Sequence, residues 1–329
     1  MIEIIEHESQ VLKNNRLRDP SRRSIWVSLP DNALESGRRY PTLYCLAGFA
    51  GTGPGQILGT PWSPGVPDRL KQLGLHRDVI VVYVDGFTRL GGSQYLNSSA
   101  TGAYEDYLCD EIVPLIDSRF PTQAERAHRG VFGKSSGGYG AIRLAVNRPD
   151  LFGALASHSG DIGFHLCYLP DFAQAFATLS ATGGLEKFLT RFEAREKKRG
   201  SDFATMNVIA MAASYSPDSG EPLGIALPFS METGELRSEV WARWLEHDPL
   251  HFAVTPGALD SLRALRLLFV DAGTRDEHHL HLGARLWVAA LKEGGVPYVH
   301  EEFDDGHRGL SYRYDASLPR LVKALTSAG

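Results

Sequence analysis

A chain of 329 residues with 43% hydrophobic content can bury one large core, either as a single domain with an insertion or as two domains. Its 39 acidic and 34 basic residues give a formal charge of −5, which argues against nucleic acid or an anionic membrane as the main partner. No apolar stretch approaches bilayer-spanning length, residues 1–7 lack a basic region before an apolar run, and Cys45, Cys109 and Cys167 are too scattered for a disulfide framework or thiolate metal site, so a cytoplasmic setting is expected.

Residues 24–29, 42–46 and 78–84 read as strands, the last nearly all β-branched, as suits a strand buried on both faces. Tyr104, Leu108, Ile112, Leu115 and Ile116 recur at helical spacing, which predicts a helix over 103–118 with a kink near Pro114. A strand ending at Phe132 then runs into Gly133-Lys134-Ser135-Ser136-Gly137-Gly138, and a small-residue helix follows over 137–146. This is the G-x-S-x-G spacing of a strand-to-helix turn so sharp that residues flanking the serine must lack side chains. The turn lifts the Ser135 hydroxyl above the sheet edge, and the helix N-terminus faces the place where negative charge develops in acyl transfer. A phosphate-binding P-loop is excluded, because His128 stands where that motif requires glycine.

Residues 154–158 form a further strand, after which the alternation of strands and helices breaks. Between 161 and 255 no strand is expected, while 172–179, 185–197 and 203–213 look helical, and the charge run 195–199 reads as a solvated helix end. The segment 161–255 is therefore predicted to be a mostly helical cap inserted into a core made of 1–160 and 256–329. It carries Trp241, Trp244 and several phenylalanines, so it is expected to wall a pocket beyond the strand ends, and a homo-oligomer contact is a further role open to it. Strands follow at 265–270 and 298–303, with a helix over 277–292 between them and another over 310–325. The overall pattern is α/β with a mostly parallel sheet.

A serine at such a turn needs an acid and then a histidine later in the chain. Asp271 ends the 265–270 strand and Asp276 lies in the loop beyond it; Asp276 is favoured because it can reach farther. His307, between Gly306 and Gly309 after the last strand, is the expected general base, with the acid holding its tautomer. The backbone N–H groups of Ser136 and of Phe49, the latter in the small-residue loop 47–51, are the expected oxyanion donors. Trp62, Tyr95 and Trp241 are candidate substrate contacts. His278, His279 and His281 have no partner at metal-ligand spacing, so no metal is expected.

With these residues in place, the chain resembles the esterase D and enterochelin-esterase-like branch of the α/β-hydrolases, a group that includes feruloyl esterases and mycolyltransferases. The resemblance rests on residues 9–20 before an R-x-x-x-V-x-L-P strand, on Tyr40-Pro41-Thr42-Leu43-Tyr44-Cys45-Leu46-Ala47-Gly48, on the Tyr104-Glu105…Glu111-Ile112-Val113-Pro114 helix, and on Gly133 to Gly138. It extends to the loops holding Asp276 and His307. Two departures stand out: Ala47 replaces the branch's usual histidine before Gly48, and the insertion is longer than in minimal esterases. The resemblance implies an α/β-hydrolase fold and a cofactor-free serine carboxylesterase acting on a small-molecule ester through an acyl-enzyme. An acyltransferase, an S-formylglutathione-type thioesterase and a non-catalytic binding protein are the alternatives.

Overall fold

Thr42–Leu46 and Ile80–Val84 are buried along their whole length, which only a central strand with covered faces permits. They belong to an eight-stranded sheet in the structure, a computed structural model that describes residues 1–200 and 202–327. In chain order the strands are β1 (Ile2–Glu8), β2 (Arg22–Ser28), β3 (Thr42–Leu46), β4 (Ile80–Val84), β5 (Arg129–Lys134), β6 (Ala154–His158), β7 (Leu267–Gly273) and β8 (Val299–Phe303). Their spatial order is β1-β2-β4-β3-β5-β6-β7-β8. The run from β4 to β8 is parallel, and β1 and β2 attach antiparallel at one edge. This is the expected α/β-hydrolase sheet, extended by β1, which the sequence reading did not assign.

Strand alternation splits the core into two layers. Tyr44 and Leu46 of β3 face the layer that holds Ala141, Leu144 and Ala145 of helix α1 (Ser136–Asn147), whereas Leu43 and Cys45 face the layer that holds Leu318, Leu321 and Leu325. Between them these layers cover both faces of the parallel strands.

Several expected helices change their ends for identifiable reasons. The 103–118 helix becomes a turn at Tyr104–Asp106, a wide π-helical stretch at Tyr107–Ile112 and an α-helix at Val113–Arg119. Pro114 lacks an N–H and would crowd the carbonyl four residues back, so the chain widens just before it. The 185–197 helix stops at Ala194, where Lys198 Nζ donates to the carbonyls of Phe192 (2.6 Å), Glu193 (3.1 Å) and Arg195 (2.6 Å). The charge run thus caps the helix rather than extending it.

Within 161–255, helices α2 (Phe172–Thr182), α3 (Leu185–Ala194), α4 (Asp202–Tyr215) and α5 (Ser238–Glu246) gather around an apolar cluster that also takes in Leu17, Leu90, Leu96, Ala100, Tyr139 and Leu280, and no sheet strand occurs among the described residues of the segment. Every residue of α4 from Thr205 to Tyr215 is buried, so it is the centre of this cluster. Tyr139 of α1 lies in the cap cluster and donates from its hydroxyl to the His247 carbonyl at 3.0 Å, joining cap to core.

Candidate active site

The turn between β5 and α1 leaves no room for side chains. A Cβ on Gly133 would lie 2.6 Å from the Leu46 carbonyl oxygen, and one on Gly137 would lie 2.2 Å from it. Ser135 between them adopts φ 58° and ψ −126°, a strained conformation for a residue with a side chain, held by its N–H donating to His158 O at 2.9 Å. The hydroxyl that results stands at the carboxyl end of the sheet.

Two later loops converge on it. After β7, Asp276 Oδ1 accepts the His278 N–H at 2.9 Å, and the Asp276 carbonyl accepts the His279 N–H at 3.0 Å. His279 takes a left-handed conformation there, so helix α6 begins only at Leu280 and runs to Glu293. The residues expected to open that helix form the acid's turn instead. After β8, the His307 N–H donates to Glu277 Oε2 at 2.6 Å, which fixes the histidine loop against the acid loop.

The side chains then line up. His307 Nδ1 lies 2.8 Å from Asp276 Oδ2, and Nε2 lies 3.1 Å from Ser135 Oγ. A carboxylate only accepts, so Nδ1 carries the proton and Nε2 is free to accept from the serine hydroxyl. Burial alone would raise the Asp276 carboxyl, but the hydrogen bond and charge of His307, with the His278 N–H, hold it below its ordinary value. Asp271, the other candidate acid, makes no hydrogen bond with His307 among the described residues: it is fully buried between His158 (Nδ1 to Oδ1, 2.8 Å) and Arg313 (Nε to Oδ2, 2.8 Å).

The Gly48 end of the 47–51 loop lies against the serine, a Cβ there falling 3.5 Å from Ser135 Cβ. Neither the Phe49 nor the Ser136 N–H has a hydrogen-bond partner among the described residues. Ala47 cannot tether this loop through its side chain, and Tyr95 does so from outside, its hydroxyl donating to the Ala47 carbonyl at 2.9 Å. Tyr95 is thus a buried brace, 3% exposed and away from the cavities, rather than a substrate contact.

The other two expected contacts are also displaced. Trp62 is 97% exposed at the tip of a turn closed by reciprocal Thr60–Ser63 backbone bonds, and Trp241 packs edge-on to Phe172 (5.5 Å between ring centres) inside the cap. Aromatic type alone gave no direction for these rings. The cavity over Ser135 has a volume of about 560 Å³ and is lined by the 48–51 loop, residues 63–66, Phe203 and residues 307–311. Phe203 comes from the cap, which therefore reaches the site. His278 lies edge-on to the His307 ring, 4.9 Å between centres, and also lines the cavity. Glu277 and Lys134 line it as well and were not singled out from sequence; burial lowers the Lys134 ammonium, partly offset by Asp276 and Glu277.

Residues 19–319 match the model of the esterase family, described as "Putative esterase". Esterase Rv1288 of Mycobacterium tuberculosis is 35% identical over 136 residues, covering 41% of this chain and 28% of that protein. The endo-1,4-beta-xylanase/feruloyl esterase of Xylanibacter ruminicola is 30% identical over 127 residues, 37% of this chain and 17% of that protein. The chain thus spans less than a third of the length of these curated relatives. Among solved structures, a ferulic acid esterase superposes with a TM-score of 0.61 at 20% identity, covering 98% of both chains. An S-formylglutathione hydrolase from Agrobacterium tumefaciens gives 0.59 at 15% identity over 99% of this chain and 95% of that one. At these identities the likeness is one of fold.

Proposed function

The chain belongs to the esterase family, and we propose that it hydrolyses a small-molecule carboxylic ester through a covalent acyl-enzyme on Ser135. The observation that carries this reading is the continuous path from Ser135 Oγ to His307 Nε2 (3.1 Å) and from His307 Nδ1 to Asp276 Oδ2 (2.8 Å), opening on a cavity. As Ser135 Oγ attacks the ester carbon, His307 takes its proton and Asp276 stabilises the imidazolium. The carbonyl oxygen gains negative charge and is held by the Phe49 and Ser136 N–H groups, a donor of this kind being worth about 100- to 1,000-fold in rate.

His307 then gives its proton to the leaving oxygen, and the alcohol departs. Water follows the same route, losing a proton to His307 as it attacks the acyl carbon, and the proton returns to Ser135 Oγ as the acid is released. Glu277 and Tyr95 position the histidine and oxyanion loops without touching the reacting atoms.

A fluorophosphonate probe should label the purified protein at Ser135, and p-nitrophenyl acetate should be hydrolysed by the parent protein and not by Ser135→Ala. A well-folded parent protein that neither takes the label nor turns over any ester of a short-chain series would overturn the reading.

A further inference from the structure

Behind Phe49 and Phe203, a second cavity of about 30 Å³ opens against Ser135 and His307. At roughly 10–15 Å³ per water-sized occupant it has room for about two heavy atoms. Its floor is polar: Asp161, Tyr168 and Asn207 line it, with Asp161 6% and Asn207 8% exposed. Asp161 Oδ2 accepts from the Tyr168 hydroxyl (2.7 Å), Gln94 Nε2 (3.1 Å) and the Ser136 hydroxyl (3.3 Å).

Asp161 Oδ1 accepts from nothing among the described residues, and no cation pairs with the carboxylate there. The Asn207 amide likewise makes no side-chain hydrogen bond among them, although its neighbours Met206, Val208 and Ile209 on α4 are buried apolar residues. Neither Asp161 Oδ1 nor the Asn207 amide is sealed from solvent, so both face the cavity with hydrogen-bonding capacity open to a ligand. Helix packing alone would be better served by an apolar residue at 207.

We propose that this cavity selects a short acyl group whose first carbon beyond the carbonyl carries a hydrogen-bond donor, a hydroxyl or an ammonium, received by Asp161 Oδ1 and the Asn207 amide oxygen. The inference rests on Ser135 being the nucleophile. The leaving oxygen must sit beside His307 to take its proton; His307 lines both cavities, and only the larger one, continuing past Arg308 to Ser311, has room for the leaving alcohol. The acyl group, on the same carbon, is left the inner cavity beside Ser136. An alkyl group of equal size would displace water from Asp161 and give no donor in return, and a site built for hydrogen bonding rejects such an analogue strongly. Long chains and aryl groups are excluded by volume.

Benzyl glycolate, benzyl glycinate and benzyl propionate test this directly, since each places two heavy atoms beyond the carbonyl. One or both donor-bearing esters should exceed the propionate in kcat/KM by about 10- to 100-fold, the range of a charge-assisted hydrogen bond. Asp161→Asn should erase an advantage of the glycinate, which needs the anion, and retain part of that of the glycolate. Asn207→Leu should reduce either advantage, and it carries the test if Asp161→Asn does not fold. Propionate turned over as fast as both others, or a preference unchanged in both variants, overturns the proposal. A protein that takes the fluorophosphonate label at Ser135 yet hydrolyses only esters without a donor overturns this inference and leaves the esterase reading standing. One that neither takes the label nor hydrolyses any ester removes both.

Discussion

Two serine–histidine–aspartate chains lie near the carboxyl edge of this sheet, and accessibility separates them. In the first, Ser317 Oγ, His158 and Asp271 join at 2.8 Å and 2.8 Å, yet all three are buried and none lines either cavity at Ser135. Asp271 also holds Arg313, so this chain clamps the sheet to the C-terminal helix at Tyr314–Thr326. In the second, Ser135 and His307 face the 560 Å³ cavity. Asp276→Asn should therefore lower kcat by about 10⁴-fold, the cost of the wrong tautomer, with little change in the urea midpoint. Asp271→Asn should do the opposite, removing about 3 kcal/mol of stability by leaving the buried His158 and the part-buried Arg313, which keeps only Glu301, without its carboxylate. Equal effects on turnover in both folded variants would contradict the assignment. Because Asp276 titrates below its ordinary value, the stabilisation it gives the fold is complete above the unfolded carboxylate pKa and is lost as pH falls through the lowered one. Ser135→Ala should cost on the order of 10⁶-fold in kcat with folding unchanged, read by ester turnover and circular dichroism.

At the scale of elements, the cap meets the core through His247. Its ring stacks on Tyr215 at 5.2 Å, its carbonyl accepts from Tyr139, and Nδ1 lies 3.4 Å from Arg143 Nη1. Burial, with Arg143 and Arg243 nearby, lowers its pKa from 6.5 to about 4. The unfolded chain thus binds a proton below pH 6.5 that the folded chain refuses until about pH 4. Stability is complete above 6.5 and falls across that window by about 3 kcal/mol, and His247→Gln should flatten the slope of the urea midpoint against pH. A second cap residue, Phe203, stands edge-on to Phe49 at 5.6 Å between ring centres and separates the two cavities. Phe203→Ala should join them and raise kcat/KM for hexanoyl relative to acetyl esters by about tenfold, the value of one or two buried methylenes. An unchanged chain-length profile would show that the phenyl ring is no barrier.

At the scale of the whole molecule, local pattern and long-range convergence differ in how far the sequence discloses them. The buried strands were legible because runs such as Ile80–Val84 have one reading, and the turn at Ser135 because only glycine fits its neighbours. Strand β1 was not, since Ile2–Glu8 breaks strict alternation and gains its identity from pairing with β2. The inner cavity was illegible for a stronger reason: Ser136, the Asp161–Tyr168 stretch and Asn207 lie on three segments far apart in the chain, and only the folded molecule brings them together. That docking also predicts how the molecule unfolds. Tyr139 of the core is buried in the cap cluster, and Phe252 packs against both the cap and core clusters, so the cap cannot leave without exposing apolar surface on the core. Trp244 in the cap and Trp287 in the core are each fully buried and report the two regions separately. Urea titrations of Trp244→Phe and Trp287→Phe variants, each referenced to its own midpoint by circular dichroism, should give fluorescence and far-ultraviolet transitions that coincide. If the signal that Trp244 contributes is lost at lower urea than the core transition, the cap unfolds on its own, and the cavity it closes over Ser135 opens with it.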